Sequence, residues 1–327
     1  MNRNRPIPLV AILLSAVALV GACAGSSGPL GSVPVPPVSP DPSVAQGSPD
    51  VTPAASDEPS TEPSEPPTGS SAPGGGPSAP PAGGILVRAY FWLGGLPGSE
   101  GLIAVLREGP GTKSVATAAV NALLGGPLTG ESNHSITTAI PEGSKLLHLS
   151  IDNGVATIDL SAEFESGGGS ASVTTRLGQV VYTLTQFPTV KSVVFQIEGV
   201  TRTTFGSEGV VLDKPVTRAD YVSLLPDIWV DRPAFNAAIG NPAHVTGSAD
   251  VFEATFRVSI LDASGTVVAD TQVMASCGTG CRGTFDTMIL YPIAKAQYGT
   301  LRVYNPSAKD GTPESIREYR VWLTPKT

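Results

Sequence analysis

Apolar residues fall along this chain in three regimes. Residues 8–20 are almost wholly apolar, residues 24–84 hold few aliphatics and no aromatic residue, and from Ile85 onward short apolar periods recur between turn signals. The third regime predicts the folded part. Residues 85–92, rich in β-branched and aromatic types, predict a strand, and Gly94-Gly95 and Pro97-Gly98 break it before a second strand over 102–107. Thr112 is placed to cap a helix running to about Leu124, with Val115, Ala119 and Ala122 on one face, and Gly125-Gly126-Pro127 stops it. A long loop containing Ile140-Pro-Glu-Gly143 follows. Residues 145–151 alternate, with Leu147, Leu149 and Ile151 on one face. Asp152-Asn-Gly154 predicts a tight hairpin turn into a return strand over 155–160. The strongest helix signal comes next. Ser172 is a candidate cap, Val173, Leu177, Val180, Leu184 and Phe187 form one apolar stripe, and Pro188 ends it. A strand over 190–198 turns Val193, Phe195 and Ile197 to the core. This order predicts an α+β unit with helices on one face of a small mixed sheet.

Beyond Pro226 the period changes to two. Val245-Thr-Gly is followed by residues 251–261, where Phe252, Ala254, Phe256, Val258 and Ile260 alternate, and Asp262-Ala-Ser-Gly265 turns the chain. Runs over 266–269, 272–276, 283–290, 300–304 and 316–323 bring the total to about seven strands with no helical period between them, which predicts an antiparallel β-sandwich.

The first two regimes concern location. Arg3 and Arg5 precede an apolar run of about 13 residues, too short to span a membrane as an ordinary helix but of the length of a signal-peptide core. Val20-Gly-Ala22 before Cys23 resembles the bacterial lipobox. That resemblance implies cleavage before Cys23 and a diacylglyceryl group on its thiol, and two or more acyl chains hold a protein stably on a membrane. Residues 24–84 cannot bury enough apolar surface to offset ordering, so a disordered spacer is expected. Its ends would lie roughly 45 Å apart if flexible and roughly 190 Å apart if polyproline-like. The leader contributes two positive charges and the spacer six acids without a base. About −4 of the net −8 therefore stays on the rest, without the basic footprint that nucleic acid requires.

Two stretches of the folded part carry a family resemblance. Ala122-Leu-Leu-Gly-Gly-Pro127, Thr138-Ala-Ile-Pro-Glu-Gly143, Gly154-Val-Ala-Thr-Ile-Asp-Leu160, the stretch from Leu177 to Phe187 and Pro215-Val-Thr-Arg-Ala-Asp220 are similar to the GerMN domain. The stretch from Asn241 to Phe256 and Tyr304-Asn-Pro-Ser-Ala-Lys-Asp-Gly311 resemble the immunoglobulin-like domain of bacterial spore-germination proteins. The GerMN resemblance implies protein–protein contact and brings no catalytic residues with it. The expected organisation is a signal peptide over 1–22, a linker over 23–84, a GerMN α+β domain over 85–223 and an immunoglobulin-like sandwich over 226–327.

Candidate chemistry is sparse. Cys277 and Cys281 are an even pair in an exported chain and read as a disulfide closing a short loop. Gly-x-Ser-x-Gly, Ser-x-x-Lys and His-Glu-x-x-His patterns do not occur, and His134, His148 and His244 are scattered. Gly167-Gly-Gly169 precedes the strongest helix but lacks the Gly-Lys-Ser/Thr of a nucleotide loop. Glu163 and Glu165 would point the same way if their segment were extended. They are the candidates for the alternative reading, an enzyme acting on cell-wall glycan through an acidic pair. The expectation is a non-catalytic envelope protein without cofactor or metal. It is anchored to the bacterial membrane through Cys23, and its partner is another envelope protein or a cell-wall polymer.

Overall fold

The structure is a computed structural model that describes residues 84–109, 114–206 and 209–326. All of them belong to one compact unit. Cys23, the signal segment, the linker and the candidate cap Thr112 lie outside the described residues.

Strands β1 (Ile85–Leu93) and β2 (Gly101–Gly109) form an antiparallel hairpin, from Leu93 opposite Gly101 to Ile85 opposite Gly109. Helix α1 (Val115–Leu124) follows, and Ala116, Ala119, Val120 and Leu123 are its buried residues at helical spacing. This face is turned by one position from the expected Val115–Ala119–Ala122 stripe. The expected long loop contains a single-turn helix, α2 (Thr129–Ser132), and a short strand, β3 (Ile136–Thr137), that pairs with the end of β1. Glu131 secures this turn: its buried carboxylate pairs with Arg107 and accepts the Leu128 N–H.

Strands β4 (Leu146–Asp152) and β5 (Val155–Leu160) are joined through Asn153 (φ 48°) and Gly154 (φ 85°). Both are left-handed, as a two-residue hairpin turn of the primed type requires. Helix α3 (Ser170–Leu184) then crosses over to β6 (Ser192–Ile197), which runs parallel to β5. The α3 stripe is as expected at Val173, Leu177, Val180 and Leu184, all buried. The helix starts earlier, on Gly169, so Ser172 lies in its first turn and is not the cap; Phe187 lies past its end. Gly178 lets α3 meet the 3-10 turn over Arg218–Leu224, since a Cβ there would collide with Leu224. Strand β7 (Val200–Thr201) extends the sheet, and β8 (Thr204–Phe205) and β9 (Val210–Val211) pair beside it.

Two of these findings differ from expectation. The first half holds two main sheets, ordered β2-β1-β3 and β4-β5-β6-β7, and the two-stranded pair β8-β9, rather than one sheet. The exposed edge of β1 is closed by α3 instead of by a strand. Thr183 Oγ1 accepts the Tyr90 N–H at 3.1 Å, and Gln179 Nε2 donates to the Tyr90 carbonyl at 3.0 Å. Gln186 accepts the Arg88 N–H at 2.9 Å and donates to the Arg88 carbonyl at 2.7 Å. A side-chain hydroxyl and two side-chain amides thus stand where ladder partners would, which satisfies buried backbone groups without a neighbouring strand. Secondly, Leu147 and Ile151 are exposed. β4 is an edge strand whose register slips between Leu146 and His148; the slip takes Leu147 off the inward face, while Leu149 stays packed against the core beside Leu146.

The second half is built from β10 (Ile228–Arg232), β11 (Ala238–Ile239), β12 (Ala243–Ala249), β13 (Thr255–Leu261), β14 (Val267–Met274), β15 (Gly283–Ile289), β16 (Gln297–Pro306) and β17 (Pro313–Leu323). They form two sheets, β10-β12-β15 and β11-β17-β16-β13-β14. Val230, Val245, Phe285 and Ile289 from the first belong to one core with Phe256, Val258, Ile260, Leu301, Val303 and Val321 from the second. Two expected runs merge into β14, and β10 and β11 are additional. Phe252 is exposed, not alternating inward, because Glu253 (φ 55°) and Ala254 (φ 59°) coil the chain before β13.

Candidate functional site

The most heavily constrained chemistry of the molecule lies where its two halves meet. β17 carries Arg317 on the same face as Tyr319, Val321 and Leu323, all buried. Its guanidinium donates to the carbonyls of Ser99 (2.7 Å), Gly101 (3.3 Å) and Leu102 (2.6 Å) in the other half, and to the Tyr319 hydroxyl (2.8 Å). Main chain joins as well. Phe235 N–H donates to Ala104 O at 2.8 Å and Phe235 O accepts from Leu106 at 2.9 Å, which attaches one residue of the second half to the outer side of β2.

A second cluster lies on the other side of β1. β10 alternates, so Ile228 and Val230 enter the sandwich core while Trp229 and Asp231 face the first half. Asp231 Oδ1 accepts the Tyr90 hydroxyl at 2.6 Å and Oδ2 pairs with Arg88 at 2.9 Å; Arg218 stands 3.9 Å away. Arg218 also covers the Tyr182 ring at 4.6 Å, and Tyr182 meets Trp229 edge-on at 5.5 Å. Burial pushes the Asp231 carboxyl up, but the Arg88 charge, the Tyr90 hydroxyl and Arg218 outweigh it and hold the group below the usual carboxylate range. Burial pushes the Tyr182 hydroxyl up to about 12, so it stays protonated at any physiological pH. These groups are committed to one another. The arrangement locks two surfaces together, and its chemistry is that of a joint.

Beside the joint is a cleft of about 440 Å³. Leu86, Leu106, Phe187, Pro233 and Ile239 give it apolar walls, and Arg88, Arg232, Gln186 and His244 give it polar ones. Both halves contribute, and Arg232 is exposed with no ion-pair partner among the described residues.

The residues singled out in the sequence are not brought together. Cys277 and Cys281 are disulfide-bonded, their Cα atoms 5.7 Å apart, in the loop between β14 and β15. Glu165 pairs with Arg202 at 2.9 Å, while Glu163 is exposed and its carboxyl is lowered by hydrogen bonding to Ser161. The two acids sit in a 3-10 turn, not an extended segment, and serve separate contacts. His134 packs edge-on against Phe235, His148 is exposed on β4, and His244 pairs with Asp286 at 2.7 Å. Among the described residues no group of three or more His, Cys, Asp or Glu is placed to hold a metal. The loop before α3 presents carbonyls inward: buried Arg176 donates to Phe164 O, Ser166 O and Gly167 O at 2.8–2.9 Å. A cation of the chain itself occupies that loop, the opposite of an anion cradle. Arg317 and Asp231 escaped the sequence reading. Their signal was available in the alternation, which puts an arginine on the apolar face of residues 317–323 and an acid beside Trp229.

Comparison with known proteins agrees with this two-part architecture. Germane, a family described as sporulation and spore germination, matches residues 95–203. Gmad2, described as the immunoglobulin-like domain of bacterial spore germination, matches residues 227–312. Among solved structures, the first GerMN domain of the sporulation protein GerM from Bacillus subtilis is similar at 22% identity and a TM-score of 0.35. That match covers 42% of this chain and 99% of that one. The tandem GerMN domains of the same protein align at 15% identity and a TM-score of 0.35, over 63% of this chain and 61% of that one. A protein of Clostridium perfringens described as a lipoprotein aligns at 21% identity and a TM-score of 0.30, over 43% and 93% of the two chains. No curated protein matches the chain. Of the joint, Arg88, Tyr90, Arg218 and Arg317 lie outside the two matched segments, while their partners Asp231, Ser99, Gly101 and Leu102 lie inside them. By the order of those segments, the chain carries a GerMN-type (Germane) module followed by a spore-germination-type immunoglobulin-like domain.

Proposed function

We propose that this protein is a non-catalytic binding and assembly module of the bacterial cell envelope. It is held on the outer face of the membrane by lipid on Cys23, and its two folded halves act as one rigid head. The observation that carries this reading is the commitment of the polar interior to the joint. Arg317, Asp231, Tyr90 and Arg218 fix two family modules in one orientation. A fixed orientation serves a protein that presents a composite surface to a partner. Both families are sporulation and germination domains by description, which supports a binding role over a chemical one. The leader and Cys23 support the anchor, and among the described residues no helix is long and apolar enough to cross a membrane. The partner is another envelope protein or a cell-wall polymer.

Cell fractionation tests the anchor. Cys23→Ala should move the protein from the membrane fraction to the soluble extracytoplasmic one, and unchanged tight membrane association would contradict lipid attachment. Crosslinking in cells tests the binding role. A discrete covalent partner is expected; a head that remains uncrosslinked from every surface position would refute it.

A further inference from the structure

The cleft at the joint combines three features that belong together chemically. The first is open main chain. Along β1 the N–H groups of Tyr90 and Arg88 turn toward α3 and are met there by Thr183 and Gln186. Strand alternation turns the N–H and C=O of Leu86 the same way. Gln186 is the last α3-side group to reach the edge, and the Leu86 main chain has no partner on that side among the described residues. The second feature is apolar walls, with Leu86 itself 52% exposed at the rim. The third is the unpaired Arg232. Arg88 shares the cleft, but Asp231 neutralises it, so Arg232 is the charge left for a ligand.

We propose that this cleft docks an extended peptide segment of a partner protein. Its backbone adds to the open edge at Leu86, an apolar side chain enters between Leu106, Phe187 and Ile239, and a carboxylate reaches Arg232. Main-chain pairing supplies affinity in such additions, and the side-chain pockets supply selectivity. A peptide fits better than a glycan because the open groups are an N–H and a C=O spaced along a strand and the walls are apolar. The charges are complementary: a carboxylate meets an exposed guanidinium that has no ion-pair partner among the described residues. The inference rests on the binding-module reading and names the class of partner.

Panning the full-length, lipidated protein with phage-displayed random heptapeptides tests it, with affinities then measured on the synthetic peptides. Enriched sequences should pair Asp or Glu with neighbouring apolar residues. Arg232→Glu should weaken them about ten-fold or more, the effect of losing one charged contact. Leu86→Pro should weaken them similarly. It deletes the free N–H without touching the β1–β2 ladder, so the melting temperature should hold. If it does not hold, Arg232→Glu, a change at an exposed side chain, decides alone. Acid-free enriched peptides, or affinities that ignore Arg232→Glu, would overturn the proposal. So would binding of purified anionic wall polymer that Arg232→Glu abolishes while no peptide is enriched. A photoreactive residue at position 86, compared with one at exposed Met274 on the far edge strand β14, separates the two levels of inference. A partner trapped in cells from 274 and never from 86 would leave the module reading standing and remove this one.

Discussion

Arg317 is a buried cation with no carboxylate partner among the described residues, and it survives because carbonyls and one hydroxyl take up its donors. Charged donors bound to carbonyls are worth more than neutral ones, and removing one partner strands the other. Arg317→Met keeps much of the volume and deletes the donors. It should destabilise the head by about 2–4 kcal/mol in denaturant unfolding; a change within experimental error would mean the guanidinium is not holding the joint. Asp231 is the acidic counterpart. Its carboxyl is held below the ordinary value, so the stability it contributes is present above the unfolded-state pKa of about 3.9 and is lost as pH falls through the folded-state value. The stability gap between the wild type and Asp231→Asn should therefore be full at neutral pH and narrow below about pH 4. Melting temperatures taken from pH 7 downward check this, and a gap that stays constant would contradict it. Period-two alternation was enough to place both residues on inward faces. What a single residue could not reveal was the partner, since Ser99 lies 218 positions from Arg317.

At the scale of elements, helix α3 does two jobs with two adjoining faces. Its apolar stripe fills the core, and Gln179 and Thr183, with Gln186 just past its end, close the edge of β1. The stripe was legible in the sequence. The polar row was not, because Gln and Thr at helical spacing ordinarily mark a solvated face, and only the position of β1 makes them interior. Thr183→Val is nearly isosteric and removes the acceptor for the Tyr90 N–H. It should cost about 1–3 kcal/mol, measured as a shift in the denaturation midpoint. A neutral result would show that water or another group takes the place of the hydroxyl. The sequence placed β4 and the inward Leu149 but not the outward turn of Leu147, because a one-residue slip at an edge leaves no mark on composition. The Cys277–Cys281 loop is short, so the loop-entropy model assigns its disulfide only about 2 kcal/mol. Cys277→Ser should lower the melting temperature modestly, and complete loss of folding would assign that loop a larger role.

On the scale of the whole molecule, the two fold classes were readable because each is written locally, one in helical stripes and hairpin turns and the other in short alternating strands. The joint is written in pairs far apart in sequence, several of them with one member outside both family matches, and so appears only in three dimensions. One hydrophobic cluster includes residues of both halves, from Ala89 to Leu323. Continuous burial with polar groups satisfied across the boundary couples the halves thermodynamically, and coupled halves unfold together. Scanning calorimetry of the full chain tests this most directly. A single transition whose calorimetric and van't Hoff enthalpies agree, and which Arg317→Met moves as a whole, is the predicted result; two separate transitions, with Arg317→Met shifting only the one that contains β17, would contradict the rigid head.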